Sequence, residues 1–491
     1  MKSIACENVD CTMWSNHNQQ HKQAGAHLLA LTAFQENRLE SHWLFPDGNV
    51  VANRLHWSGL GFPSLTPFLP EVAWDEREIH DLFGYVPEGH PDLRPLIRTP
   101  RWPTGFYPLN DEAHDGVRIR PTWVDTQPDN PAKTVEGDGV TLMKVGPTHA
   151  GVIESGHFVF SIMGENILHL DLHLFQNHRG VEKSLEGLAI GDVSPLVTRI
   201  CGADTVSHQV NWAMAVEQLA GYQAPEILGW ERVVLLESER ILSHLNDLAQ
   251  IPAGVGFQVA HQRALAMKEQ WQRGLLNLYG HRLLFDTVQP GWSAKCDSDS
   301  FLALIQTMIK IWHPWRVLVE NHHGLNDRMN GVGWVRRDDA ERFGAVGVAA
   351  RATGLNFDVR TLMPLYQNIK IKAIKGGAGD VAARFNVRLQ EVESSWHILQ
   401  TALNHLRAVT DIPRWNPPSD LTGETVSYSE SPHGLNVHVV ELEQGQVRRY
   451  HVRPATFRNW PLVAMATAGN GVGDFPLINK SFELCYSCSD R

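Results

Sequence analysis

At 491 residues the chain is too long for one ordinary core, so two domains are the starting expectation. Its composition, 43% hydrophobic and 20% charged, is that of a folded globular protein. The net charge of −11 comes from 54 acidic against 43 basic residues with no long run of either sign. That excludes the basic stripe that phosphate neutralisation needs, and no nucleic-acid partner is expected.

No apolar stretch approaches the roughly 18 residues a membrane helix requires, and the start MKSIACENVDC has no export-signal core. The expectation is a soluble, cytoplasmic chain that meets a membrane only through partners. Six cysteines (Cys6, Cys11, Cys201, Cys296, Cys485, Cys488) are too few to staple a chain of this size. Without an export signal they read as thiols or metal ligands.

In chain order, HLLALTAF and SHWLFP read as strands, and PDGNVV supplies a turn. WDEREIHDLFG reads as a helix with Trp74, Ile79, Leu82 and Phe83 on one side. Six prolines lie between Pro100 and Pro131 among acidic and Gly residues, so a linker over 100–138 is expected to divide a domain at 1–99 from one at 139–491. A short β region follows, VTLMKVGPTHAG and HFVFSIMGENILHLDLHL.

Residues 211–410 are dominated by helical periodicity. In WERVVLLESERILSHLNDLAQ the residues Val234, Ile241, Leu245 and Leu248 form one stripe. HQRALAMKEQWQRGLLNLYGHRLL, FLALIQTMIKIW and GDVAARFNVRLQEVESSWHILQTALNHL behave alike, which implies a helical bundle. LNVHVVELEQGQVRRYHV reads as a hairpin turning at Glu443-Gln444-Gly445. The fold class expected is α+β: a small α/β domain, then a mainly helical bundle with small β elements.

The strongest chemical signal is the CYSC near the end, because two thiols three residues apart on a turn can bind one soft metal. RICGADTVSH is the second, with Cys201 preceded by Arg199 and followed by His208; a lone cysteine there is by default a buried thiol, and with CYSC it becomes a third soft ligand. GNGVGD and KGGAGD lack dinucleotide-site spacing and read as turns. Glu239-Arg240, His244 and Asp247 lie on one helix and read as a buried polar seam.

The order RxCGxCxxxH followed much later by CxxCxxR resembles nickel–iron hydrogenase large subunits. GPTHAGVIESGHFVFSIMGE, HRGVEK, ESERILSHLNDL, NDRMNGVGWVRRDDAERFGAVGVAARATGLNFDVR and GDVAARFNVRLQEVE resemble the membrane-bound branch of that family and the 49 kDa subunit of respiratory complex I. WDEREIHDLFG followed by GHPDLRPL resembles the 30 kDa subunit. The fusion in this order is similar to the large subunits of formate hydrogenlyase and hydrogenase-4.

The resemblance implies an oxidoreductase subunit in a complex that couples redox chemistry to ion translocation. It implies a nickel–iron centre, with Cys201 as the first thiolate ligand and Cys485 and Cys488 as the later pair. The remaining position, a bridging cysteine, is Asp204 here, a hard ligand where a soft one belongs. His433 stands where the family's arginine overhangs the open side of the metals, and free histidine titrates near neutrality. Glu483-Leu484 replaces an Asp-Pro. The nickel–iron site is therefore expected to be degenerate.

By the same resemblance Glu182 is a proton-relay candidate, the alternative being an ion pair with Arg179 and Lys183. Arg199, His208 and Arg491 flank the ligands, and His149 and His157 flank a loop that lines the quinone cavity in complex I. RICGADTVSH carries no tyrosine to match the tyrosine of that cavity. The sequence stops at Arg491, as expected of a processed chain or of a gene without a tail.

The partners implied are a small iron–sulfur subunit that carries the cluster, a ferredoxin-like subunit and antiporter-like membrane subunits. The place implied is the inner face of the cytoplasmic membrane. The alternatives are a working proton-reducing hydrogenase, a quinone-reactive NADH dehydrogenase-like subunit and a non-catalytic scaffold.

Overall fold

The computed structural model describes residues 4–491 except 60, 100, 101, 104, 111–131, 150–153, 373, 375 and 408–413. The middle of the expected linker thus lies outside the described residues.

The first region is a four-stranded sheet of order β1-β4-β3-β2: β1 Ala5–Val9, β2 His27–Phe34, β3 Arg38–Leu44 and β4 Val50–His56. Its β1 pairs parallel with β4, and the other pairs are antiparallel. Helix α1 (Trp14–Gln23) and helix α2 (Ala73–Phe83) pack on it, and a small parallel pair, β5 (Gly61–Pro63) with β6 (Val86–Glu88), flanks α2. Ile79, Leu82 and Phe83 of α2 are buried as the periodicity requires. The opposite side of α2 is unusual, because Asp75, Glu76 and Glu78 are buried too. Carboxylates survive burial only with partners, and two come from far along the chain: Arg453 forks onto Asp75 at 2.5 and 2.7 Å, and Arg491 binds Glu78.

The second region opens with an antiparallel sheet, β7 (Val140–Val145), β8 (His157–Met163) and β9 (Asn166–His173). Short helices α3 (Val181–Leu185) and α4 (Ile190–Val197) lead into the bundle of α5 (Thr205–Leu219), α6 (Glu226–Gly254), α7 (Gln258–Tyr279) and α8 (Ser298–Glu320). A two-residue pair of strands, β10 (Val288–Gln289) and β11 (Trp292–Ser293), precedes α8. Three short helices follow, α9 (His323–Met329), α10 (Arg337–Arg342) and α11 (Gly347–Ala352), and then α12 (Val381–Leu406), which packs along α6. Val234, Ile241, Leu245 and Leu248 are all buried, as the apolar stripe of α6 predicts.

A second antiparallel sheet comes last: β12 (Gly423–Ser431), β13 (Gly434–Glu443) and β14 (Gln446–Arg453). The turn falls at Gln444-Gly445, both with positive φ, the backbone a two-residue hairpin demands. The chain ends through α13 (Ala455–Thr467), α14 (Phe475–Phe482) and the single turn α15 (Tyr486–Ser489). Among the described residues no helix is long and apolar enough to cross a membrane. Buried side chains of the first sheet, the bundle and the last sheet form one continuous apolar cluster, so the two regions share a core.

One expectation shifts in detail. Helix α7 stops at Tyr279 because Gly280 takes a left-handed C-cap (φ 77°), so GHRLL lies outside it. In β9, Asp171 is buried and receives Arg94 of GHPDLRPL at 2.9 Å, another tie between the two regions. GGAGD and GNGVGD are turns, and Asp380 of the first caps α12 by accepting from the Ala383 amide at 2.8 Å.

Candidate thiol site

Cys201 sits in the loop between α4 and α5, and Cys485 and Cys488 bracket the turn of α15. The Cys201 and Cys485 sulfurs are 3.0 Å apart, and all three sulfurs lie within 4.8 Å of one another. Backbone amides point at two of them, Ala203 N at Cys201 Sγ (3.2 Å) and Cys488 N at Cys485 Sγ (3.4 Å). Thiol contacts from Cys201 and Cys488 hold Cys485 well below the usual cysteine range. The contact with Cys485 raises Cys201, and burial with the same neighbours raises Cys488.

Asp204 occupies the N-cap of α5 yet makes no cap hydrogen bond. Glu239 of α6 caps that helix instead, accepting from Val206 N at 2.6 Å and Ser207 N at 3.2 Å. The polar seam of α6 is thus what frees the Asp204 carboxylate to face the thiols, with Oδ2 at 3.6 Å from Cys488 Sγ. Its other oxygen is 2.8 Å from His433 Nδ1.

His433 corrects the expectation of a histidine that titrates near neutrality. Its Nε2 is 2.9 Å from the Glu483 carbonyl, which can only accept, so that nitrogen carries a proton. With Nδ1 donating to Asp204 the ring is an imidazolium. Burial opposes the charge, but the carboxylates of Asp204 and Asp247 and the Cys485 sulfur outweigh it and push the group up to about 10. The position keeps a fixed positive charge, on a ring already occupied at both ends.

His208 approaches Cys488 Sγ at 4.0 Å through Nε2, and its Nδ1 is 2.9 Å from His438 Nε2. His438 in turn reaches the Tyr450 hydroxyl at 2.8 Å. Burial depresses His208 to about 4, so it faces the thiols as a neutral imidazole.

The other anticipated residues divide. Glu182 is buried and accepts from Arg449 (2.8 Å), Arg491 (3.0 Å) and the Val452 amide (3.0 Å). Burial raises its pKa, but Arg449, His451 and Arg491 together hold it well below the carboxylate range. Its partners are therefore neither of those anticipated: Lys183 pairs with Glu186, and Arg179 turns elsewhere. Arg199 points outward to Asp286 at 3.0 Å, with about half its side chain exposed. Its anticipated place beside the thiols belongs to Arg179, whose guanidinium donates to the carbonyls of Ile200 (2.5 Å) and Ser487 (2.8 Å), one beside each thiol-bearing segment.

A cavity of about 920 Å³ opens over the thiols, lined by His149, Glu154, Asp247, Lys268, His433, Glu483, Cys201, Cys485 and Tyr486 among others. His149 Nε2 is 2.7 Å from the Gly156 carbonyl, whereas His157 packs 5.8 Å from His173 and lies off the cavity wall. Glu154, which motif reasoning passed over, accepts from the Ser487 amide at 2.8 Å and from its hydroxyl. Its place in VIESGHF gave no hint, because the partner lies at the far end of the chain.

Three sulfurs at this spacing could hold one soft ion. The nickel–iron pair that the resemblance implies takes four thiolates, two of them bridging. Here the fourth donor is a carboxylate committed to an imidazolium, so the residues present do not fit a nickel–iron pair.

Residues 11–114 match the family described as respiratory-chain NADH dehydrogenase, 30 Kd subunit, and residues 255–420 match the 49 Kd subunit of the same enzyme. That defines a fused complex I-type chain, an oxidoreductase subunit. The formate hydrogenlyase subunit 5 of Escherichia coli (strain K12) is 30% identical over 451 residues, which cover 88% of this chain and 77% of that protein. Hydrogenase-4 component G of the same organism is 31% identical over 447 residues, covering 88% and 76%. The chain belongs to this family of hydrogenase-4, formate hydrogenlyase and complex I large subunits. Its fold is also that of a chain in the membrane-bound sulfane sulfur reductase, an archaeal respiratory membrane complex, with a TM-score of 0.66 and 23% identity over 72% of this chain and 99% of that one.

Proposed function

We propose that the chain is the redox subunit of a hydrogenase-4-like complex that couples electron transfer to ion translocation, with a thiol site that no longer holds nickel and iron together. It sits peripherally on the inner face of the cytoplasmic membrane. Its partners are a small iron–sulfur subunit docked beside Cys201 and CYSC, a ferredoxin-like subunit and antiporter-like membrane subunits. The observation that supports this reading is the donor set, three clustered thiols with the Asp204 carboxylate bound by His433. In this reading the chain's residues act as an electrostatic frame: Asp204, His433 and Glu182 fix charge around the thiols, while His208 stays neutral against Cys488.

Metal analysis and a hydrogen assay with a low-potential dye, on the intact complex purified without oxygen, test it. Sub-stoichiometric nickel and no nickel-dependent hydrogen turnover are expected. Robust nickel-dependent turnover would establish the working hydrogenase instead. A linker over 100–138 belongs to the same proposal, and limited proteolysis of the isolated chain should cut there before it cuts within 211–410.

A second reading, reaction with a quinone at this cavity, has one observation in its favour. His149 and Tyr486 line the same cavity, so the tyrosine missing from RICGADTVSH has a counterpart within CYSC. Quinone-dependent oxidation of the complex that Tyr486→Phe abolishes would favour it; equal rates in that variant would remove it.

A further inference from the structure

Glu78, Glu182 and His451 lie close enough together to resemble a metal site. Two guanidinium groups occupy it instead. Arg491 places Nη2 at 2.8 Å from both Glu78 oxygens and Nε at 3.0 Å from Glu182. Arg449 donates to Glu182 at 2.8 Å and, through Nε, to the carbonyl of Ala33 on β2 at 3.1 Å. All four charged side chains are buried.

We propose that Glu78, on α2 of the first region, is a positioning residue for the thiol site. It holds Arg491 and, through it, the turn that carries Cys485 and Cys488 against Cys201. The geometry is direct. Arg491 lies beyond Cys488 at the end of α15, and the Asp490 carbonyl before it accepts from the Arg179 amide at 2.7 Å. The four-residue turn of α15 has little slack, so displacement of Arg491 displaces Cys488.

The charges decide what happens when Glu78 is removed. With it, two guanidiniums face two carboxylates. Without it, Arg449 and Arg491 share Glu182, and a buried cation without a counter-charge leaves for water when its segment can move. Arg491 follows directly on the single turn of α15 and lies in no strand or longer helix, whereas Arg449 is fixed within β14. The first region thereby controls access to the thiols whatever ion or substrate they take, so the inference stands apart from the proposed redox role.

The test is alkylation of the full-length, chelator-treated protein by iodoacetamide, followed for each cysteine by mass spectrometry. Glu78→Gln is expected to speed modification of Cys488 about tenfold or more, because a buried uncompensated charge is worth more than one decade in an equilibrium. Cys6 and Cys11 are already exposed and keep their rates. Arg491→Lys, whose single ammonium cannot span Glu78 and Glu182, is expected to speed Cys488 as well, and decides alone where Glu78→Gln does not fold. Glu441→Gln breaks another tie between the two regions, Arg38 to Glu441 at 2.6 Å, and is expected to leave Cys488 slow. Wild-type rates in the folded variants, or equal acceleration in Glu441→Gln, overturn the proposal.

Discussion

Two buried polar centres lie side by side in this chain and have opposite characters. Between α6 and α12, His244 binds Glu391 at 2.7 Å, and Arg351 bridges Glu391 and Glu430 at 2.7 Å each. Farther along, Arg360 joins Asp358 (2.6 Å) to Glu237 (3.1 Å), which also accepts from Tyr366 and Ser395. There every carboxylate faces a cation or a hydroxyl. At the thiol site three weakly hydrogen-bonding sulfurs crowd one another, and a cavity of about 920 Å³ opens on them. Both are largely buried, with Cys485 at the partly open edge of the thiol site. What differs is that in one network the carboxylates are matched by cations of the same chain, whereas the other is built from groups whose best partner is not protein.

The largest expected effect breaks the ion-paired network. Arg351→Ala leaves Glu391 and Glu430 buried without their shared cation, a change expected to cost about 3–5 kcal/mol. Urea unfolding of the isolated chain should show it as a lower midpoint. If Arg351→Ala unfolded at the wild-type midpoint, the seam would not be the structural half of the comparison.

Next comes pH. His433 has a folded-state pKa near 10 against an ordinary 6.5, so it binds its proton more tightly when folded. The stability it contributes is fully present below pH 6.5 and is lost as pH rises toward 10. Hydrogen bonds to charged groups suggest a size of about 2 kcal/mol. His433→Gln in chelated protein should flatten the stability profile across that window, and a profile still falling between pH 6.5 and 10 would mean that another group is responsible.

Cys201→Ser should shift stability by only about 1 kcal/mol, since it removes no charge that the fold depends on. It should nonetheless abolish tight cadmium binding to the full chain, because a hydroxyl is a poor ligand for a soft ion. Retained cadmium affinity in Cys201→Ser, with loss in Cys488→Ser alone, would show that the sulfurs do not act as one set.

Much of this architecture was legible in the residues. The stripe on α6, the Gln444-Gly445 turn and the two thiol motifs each carry a local signal: period, backbone conformation or rare chemistry. Strand β1 has none, for Ala5 to Asn8 are exposed and only pairing with β4 makes a strand of them. The supports of the site were equally silent. Arg179 binds main-chain carbonyls that every residue has, and Glu154 and Glu78 meet partners more than 300 residues away. His433 shows a subtler limit: the residue was visible, but its charge is set by Asp204, 229 positions earlier, and by the Glu483 carbonyl.

The smallest effect sharpens the boundary of the site. Arg199 lies two positions before Cys201, and its sequence neighbourhood made it a natural flanking residue. Its guanidinium instead meets Asp286 at 3.0 Å, with both side chains about half exposed, and its Nη1 closes on the Pro195 carbonyl at 2.9 Å. An exposed pair of this kind is worth roughly 0–1 kcal/mol, because solvent and salt screen it. Arg199→Ala is therefore expected to move the urea midpoint little and to leave cadmium binding at the thiols unchanged. Arg179→Ala removes the donor that ties Ile200 to Ser487 and should weaken cadmium binding, although it too is a surface arginine near the same cysteine. Measured together by calorimetric titration, the two variants separate proximity in sequence from mechanical connection. Should Arg199→Ala weaken cadmium binding as much as Arg179→Ala, the thiols would be sensing local positive charge rather than the hydrogen-bonded bracket, and the line between frame and site would have to be drawn further out.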